Sequence, residues 1–116
     1  MNNLKFAFFG TPDVASKTLD ILKENGYLPS LIITQHDKPV GRKMILTPSP
    51  VKVWARENNI SYLEPEKITK EFQEELSQKV ADLGLSLFIV VAYGKILPEE
   101  LINMPSLGTI NIHYSP

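Results

Sequence analysis

Two runs of strand length, Leu4–Phe9 (LKFAFF) and Leu85–Ala92 (LSLFIVVA), are apolar almost throughout rather than at alternate positions. A strand that reads this way is covered on both faces, as strands inside a parallel sheet are. Parallel strands need a crossover between them, and the sequence between the two runs supplies the helices. After the first run comes Gly10, then Thr11 as an expected N-cap, Pro12 at the first helical position and Asp13 in the first turn, where a carboxylate complements the helix dipole. Val14, Ala15, Thr18, Leu19, Ile21 and Leu22 form a helical stripe that Gly26 ends, and Leu28–Thr34 is a second strand. Ser49 and Pro50 open another helix whose Val51, Trp54 and Ala55 share a face, with Trp54 expected as core packing. Ile60–Leu63 is a short third strand, Thr69–Asp82 a polar helix closed by Gly84, and Pro98–Asn103 a short helix before a last strand. The expectation is an α/β chain with a Rossmann-like, doubly wound parallel sheet of strand order 3-2-1-4-5.

A chain of 116 residues holds one domain rather than two, residues 1–116. Its net charge of −1 rules out a domain that binds nucleic acid as a whole-molecule polycation, so any such contact has to come from a local patch. With no cysteine and two histidines far apart in sequence, neither a disulfide nor a zinc site is expected. No stretch approaches the length of a membrane span, and an intracellular, cytoplasmic protein is the default expectation. The first strand–helix turn, Gly10-Thr11-Pro12-Asp13, has one glycine, where a dinucleotide turn needs several to bring its backbone to a pyrophosphate. No NAD is expected.

Two segments stand apart. Gln35–Pro50 is long for a connection and carries Pro39, Gly41, Pro48 and Pro50, so it reads as having no regular element; Lys38, Arg42 and Lys43 give it a basic tip. A solvated loop would look the same. In Leu107–Pro116 (LGTINIHYSP), Thr109, Asn111 and His113 alternate with Ile110, Ile112 and Tyr114. Strand periodicity puts the first three on one face and the apolar three on the other, where they are expected to pack. This is also the pattern of a half-buried edge strand. What points to a ligand is its place at the C-terminal edge of the sheet, where open α/β sheets bind.

The motifs FFGTPDVA (Phe8–Ala15), TQHDKPVGR (Thr34–Arg42), LTPSPVK (Leu46–Lys52), VVAYGKILP (Val90–Pro98) and LGTINIH (Leu107–His113) resemble the methionyl-tRNA formyltransferase family, in order and spacing, along the whole chain. The resemblance implies transfer of a formyl group from 10-formyltetrahydrofolate, as co-substrate, to the amino group of initiator methionyl-tRNA. Asn111 and His113 would then belong to a catalytic trio whose aspartate lies further along than Pro116. The chain would be the front part of a formyltransferase domain, inactive alone. Tyr93, Gly94, Ile96 and Leu97 would wall the folate pocket. Ser115 and Pro116 would begin a folate-contacting segment, with proline where relatives carry leucine. Lys38, Arg42 and Lys43 would meet tRNA.

The chemistry agrees with these residue types. An amine attacking a formamide-like carbon drives negative charge onto the formyl oxygen, and each preorganised donor there is worth about 3–4 kcal/mol. An Asn111 amide supplies one; His113 supplies a second when protonated, or moves the proton that the amine loses. Two alternatives remain open: an N-formyltransferase acting on a sugar or other small amine, which would have no use for the basic loop, and a non-catalytic folate- or partner-binding protein whose last strand, an uncovered edge, self-associates.

Overall fold

The computed structural model of the chain describes residues 4–113. Its elements run β1 (Phe6–Gly10), α1 (Asp13–Glu24), β2 (Leu31–Ile33), β3 (Lys38–Val40), β4 (Ile45–Thr47), α2 (Pro50–Glu57), β5 (Tyr62–Leu63), α3 (Lys70–Leu83), β6 (Leu87–Val91), α4 (Glu99–Ile102) and β7 (Thr109–Ile112). Five strands form one parallel sheet in the order β5-β2-β1-β6-β7, while β3 and β4 pair with each other as an antiparallel hairpin. With the hairpin strands left out of the numbering, the sheet order is the expected 3-2-1-4-5. With them counted, it is not, and the difference is the segment read as irregular.

Burial on both faces of the central strands separates two cores. Phe6 and Phe8 point to the α1/α2 side, among Leu19, Ile32, Trp54 and Ile89. Ala7 and Phe9 point to the α3/α4 side, among Ile33, Phe72, Leu76, Phe88 and Leu101. Each fully covered Phe or Leu contributes about 2–3 kcal/mol, which makes this alternation the main source of cohesion. Trp54 is core, as expected, and its ring nitrogen donates to Asp20 Oδ1 at 2.7 Å, tying α2 to α1. At the end of β1, a Cβ on Gly10 would stand 2.7 Å from Ala15 Cβ and 2.9 Å from the Val91 carbonyl oxygen. Only glycine lets α1 start this close to β6.

Two of the helix starts differ from the sequence reading. Ser49 Oγ accepts from Lys52 N at 3.0 Å, the expected N-cap of α2, whereas Thr69, read as the first residue of its helix, is the N-cap of α3, its Oγ1 accepting from Phe72 N at 3.0 Å. Thr11 is not the N-cap of α1. Pro12 holds that position without a side-chain cap, and the Thr11 hydroxyl donates instead to the Tyr93 carbonyl at 2.7 Å. A bond between two strand ends has outcompeted a local one.

Gln35–Pro50 is the second correction. Lys38 pairs with Thr47, Pro39 with Leu46 and Val40 with Ile45, around a turn with Gly41 and Met44 at positive φ. Pro39 read as a breaker, but both strands of a two-stranded ribbon are edges, where a missing N–H is tolerated. In β7 the apolar face is covered only in part: Ile112 packs on the α1/α2 core, whereas Ile110 is half exposed.

Candidate functional site

The C-terminal ends of β1, β2 and β6 meet at one oxygen atom. Beyond β6, Ala92 turns with φ of 50° and Gly94 with φ of 93°. Left-handed backbone at an alanine costs roughly 1 kcal/mol, so the turn is held by its surroundings. Its anchor is Tyr93. The ring is buried edge-on against Phe9, centroids 5.6 Å apart, and the carbonyl accepts from both Thr11 Oγ1 and Gln35 Nε2 at 2.7 Å. The Tyr93 hydroxyl has no hydrogen-bond partner among the described residues, and burial pushes its pKa up to about 12.

Past that anchor the chain forms one wall of a hollow of about 370 Å³. Val90, Ile96, Leu97 and Ile102 supply apolar surface; Lys95, Thr109 and Asn111 supply polar groups. Register explains the composition. Phe88 pairs with Thr109 and Val90 with Asn111, and paired positions share a face of the sheet. The Thr109 hydroxyl donates to the Ile102 carbonyl at 2.6 Å, so the next same-face group, Asn111, is the one presented to the hollow. The Lys95 ammonium donates to the Glu66 carbonyl and fastens the wall to the segment before α3.

Of the residues singled out from the sequence, Asn111, Ile96 and Leu97 line this hollow. Ile96 is an apolar side chain left 94% exposed by the described residues. Tyr93 and Gly94 shape the wall from behind; the Tyr93 ring belongs to the core. His113 is exposed, immediately past the end of β7, and is not among the lining residues. Ser115 and Pro116 lie outside the described residues.

A second hollow, of about 470 Å³, lies between the β1–α1 turn and the hairpin, with Thr11, Gln35, His36, Lys38, Val40 and Ser49 among its walls. His36 Nδ1 is buried there without a partner among the described residues. The hairpin that overhangs it exposes Val40, Met44, Ile45 and Leu46 and carries Arg42 and Lys43 in its turn, while Lys38 sits at the root pair of its ladder. The root is fixed by Lys52, whose ammonium lies 2.8 Å from Asp37 Oδ1 and 3.0 Å from Glu64 Oε2, with the Tyr62 ring beside it. The hydrogen bond to Asp37, helped by Glu64, holds the Lys52 pKa above its ordinary value against the opposing effect of burial. Sequence reasoning missed Gln35 and Lys52. The signal available was their place in TQHDK and SPVK, at the two ends of the long segment.

Among the described residues there is no group of three or more His, Cys, Asp or Glu side chains that could hold a metal, and no helix long and apolar enough to cross a membrane.

A profile described as Formyl transferase matches residues 4–115. The chain belongs to the formyl transferase family. It is 46% identical over 112 residues to a protein named methionyl-tRNA formyltransferase from Sulfurihydrogenibium sp. (strain YO3AOP1), covering 97% of this chain and 35% of that one. To the protein of the same name from Lysinibacillus sphaericus (strain C3-41) it is 47% identical over 108 residues, covering 93% of this chain and 34% of that one. The chain thus spans about a third of the length of these curated relatives. Among solved structures, phosphoribosylglycinamide formyltransferase from Anaplasma phagocytophilum superposes with a TM-score of 0.70 at 15% identity, over 97% of this chain and 50% of that one. The enzyme of that name from Bacillus halodurans superposes with 0.69 at 14% identity, over 94% and 55%. These two formyltransferases show the shared fold.

Proposed function

We propose that this formyl transferase family chain is the front part of a catalytic domain that moves a formyl group from 10-formyltetrahydrofolate to the amino group of initiator methionyl-tRNA. The observation that carries the reading is Asn111 facing an apolar-walled hollow beside β6 and β7. A flat ring between aliphatic side chains, oriented by a few polar groups, is the usual construction of such pockets. Val90, Ile96, Leu97 and Ile102 would hold the folate ring, and the co-substrate supplies the formyl carbon. The Asn111 amide donates to an oxygen that gains negative charge. His113, one strand step further on, takes or returns the proton of the attacking amine. The hairpin offers Lys38, Arg42 and Lys43 to the phosphates of the tRNA acceptor end. A nucleotide-linked sugar has too few phosphates to use three cations on a projecting arm, and that favours the tRNA reading over a small-amine N-formyltransferase. The cytoplasm, where initiator tRNA is charged, is the compartment that this reading implies. The outer edge of β7, beside half-exposed Ile110, is where a second chain would pair if the protein self-associates.

The test is turnover with 10-formyltetrahydrofolate and charged initiator tRNA, using the protein as its gene encodes it. Asn111→Ala is expected to lower kcat by about 10²–10³. Replacing Lys38, Arg42 and Lys43 with alanine is expected to weaken tRNA binding and flatten its dependence on salt. Formylation of a small amino sugar in preference to the tRNA would overturn the proposal.

A further inference from the structure

The Tyr93 carbonyl is shared by donors from two different strand ends. Thr11 follows β1, the neighbour of β6, and reaches it directly. Gln35 follows β2, one strand further out, and its side chain has to extend past the end of β1 to donate from Nε2. A carbonyl oxygen has two lone pairs, so the pair of donors saturates it. Gln35 is 7% exposed, and a Cβ built on Gly94 would collide with its Nε2. The Gln35 amide therefore fills the space where residue 94 would carry a side chain. It sets where the chain goes next, and Lys95, Ile96 and Leu97 are next.

The same residue stands at the root of the hairpin. Its chain neighbour Thr34 meets Ser49 through their hydroxyls, and Asp37, two positions on, holds Lys52. The backbone that carries Gln35 is thereby fixed from the hairpin side while its side chain fixes the wall of the other hollow.

We infer that Gln35 is a positioning residue for the hollow beside Asn111: its carboxamide, anchored at the hairpin root, fixes the course of residues 94–97. The identity of the ligand rests on the proposed function; the positioning does not. The requirement is for a donor of that length. Gln35→Met keeps the length and leaves the Tyr93 carbonyl with one donor. Gln35→Glu places an anion against a carbonyl oxygen and is the more damaging of the two. Thr11→Val removes the other donor and leaves residue 94 untouched.

The experiment combines backbone NMR relaxation with steady-state kinetics on the protein as encoded. In Gln35→Met, the order parameters of residues 94–97 fall from about 0.85 to below about 0.6 while β1 and β6 keep theirs. KM for 10-formyltetrahydrofolate rises at least fivefold, with kcat and KM for methionyl-tRNA within twofold. Thr11→Val lowers the same order parameters less. If Gln35→Met fails to fold, Gln35→Asn, which keeps the amide but falls one methylene short, is read in the same way. Unchanged order parameters at 94–97, or a loss spread evenly through β1 and β6, overturns the inference, as does an unchanged KM for the folate. Should the wild-type protein transfer no formyl group, the proposed function fails, and the order parameters alone decide the role of Gln35.

Discussion

The hydroxyl oxygens of Thr34 and Ser49 lie 2.7 Å apart in a buried contact that closes the root of the hairpin. Thr34 is wholly buried and Ser49 is 8% exposed, so neither has water as a substitute partner. Ser49 also caps α2 through Lys52 N. One side chain thus starts a helix and pins a projecting arm, which places the arm at a defined angle to the sheet.

Removing either hydroxyl costs the other a partner, though Ser49 keeps the Lys52 amide. Ser49→Ala loses the cap and leaves Thr34 unpaired, and is expected to cost about 2 kcal/mol. Thr34→Val leaves only Ser49 short of a partner and is expected to cost about 1 kcal/mol. The double variant should be less destabilised than the sum, because replacing both partners with apolar groups removes the desolvation penalty. Urea denaturation of the four proteins measures the coupling.

Lys52 is 6% exposed between Asp37 and Glu64, whose side chains are 36% and 32% exposed. Solvent screens the two carboxylates, so Lys52→Met is expected to cost about 1–2 kcal/mol, less than breaking a fully buried pair. Because the folded-state pKa lies above the ordinary 10.5, this contribution is complete below pH 10.5 and is lost as pH rises through the folded value. Melting temperatures measured up the alkaline range should show a decline in the wild type that is reduced in Lys52→Met.

Tyr93→Phe is expected to stabilise. The hydroxyl is buried without a partner among the described residues, and deleting it should gain about 1 kcal/mol at neutral pH. Burial raises the phenol from 10.0 to about 12, so ionisation favours the unfolded chain once pH passes 10. The wild type should lose about 2 kcal/mol between pH 10 and 12 from this group. Guanidinium titrations at pH 7 and pH 11 test both halves, and the phenylalanine variant should lack this part of the alkaline loss.

Gly94 and Gly108 separate backbone strain from collision. Both have positive φ, 93° and 86°, but a Cβ at 108 meets nothing within 4 Å, whereas one at 94 runs into Gln35. Gly108→Ala is expected to cost about 1 kcal/mol from strain alone. Gly94→Ala should cost about 2–3 kcal/mol and also displace the Gln35 amide. Equal losses in the two variants, read by thermal unfolding, would mean that Gln35 yields without cost.

What the sequence by itself determined was everything with the reach of a single element. LKFAFF and LSLFIVVA declare central parallel strands because burial on both faces leaves little room for polar residues, Lys5 and Ser86 alone in the two runs, each near the start of its run. Ser49 caps α2 because its oxygen finds an amide three residues on. The alternation of Thr109 and Asn111 with Ile110 and Ile112 follows from the pleat. Tertiary structure alone decided the rest. The hairpin depends on a ladder between strands that each read as a loop. The Thr11 hydroxyl passes over its local cap for a carbonyl 82 positions away, and Gln35 spans 58 to the same oxygen. Tyr93, whose motif suggested a pocket wall, turns its ring into the core because Phe9 is there to receive it. Local pattern encodes which groups a residue prefers, but which distant group arrives within 3 Å is set by the packing of the whole sheet.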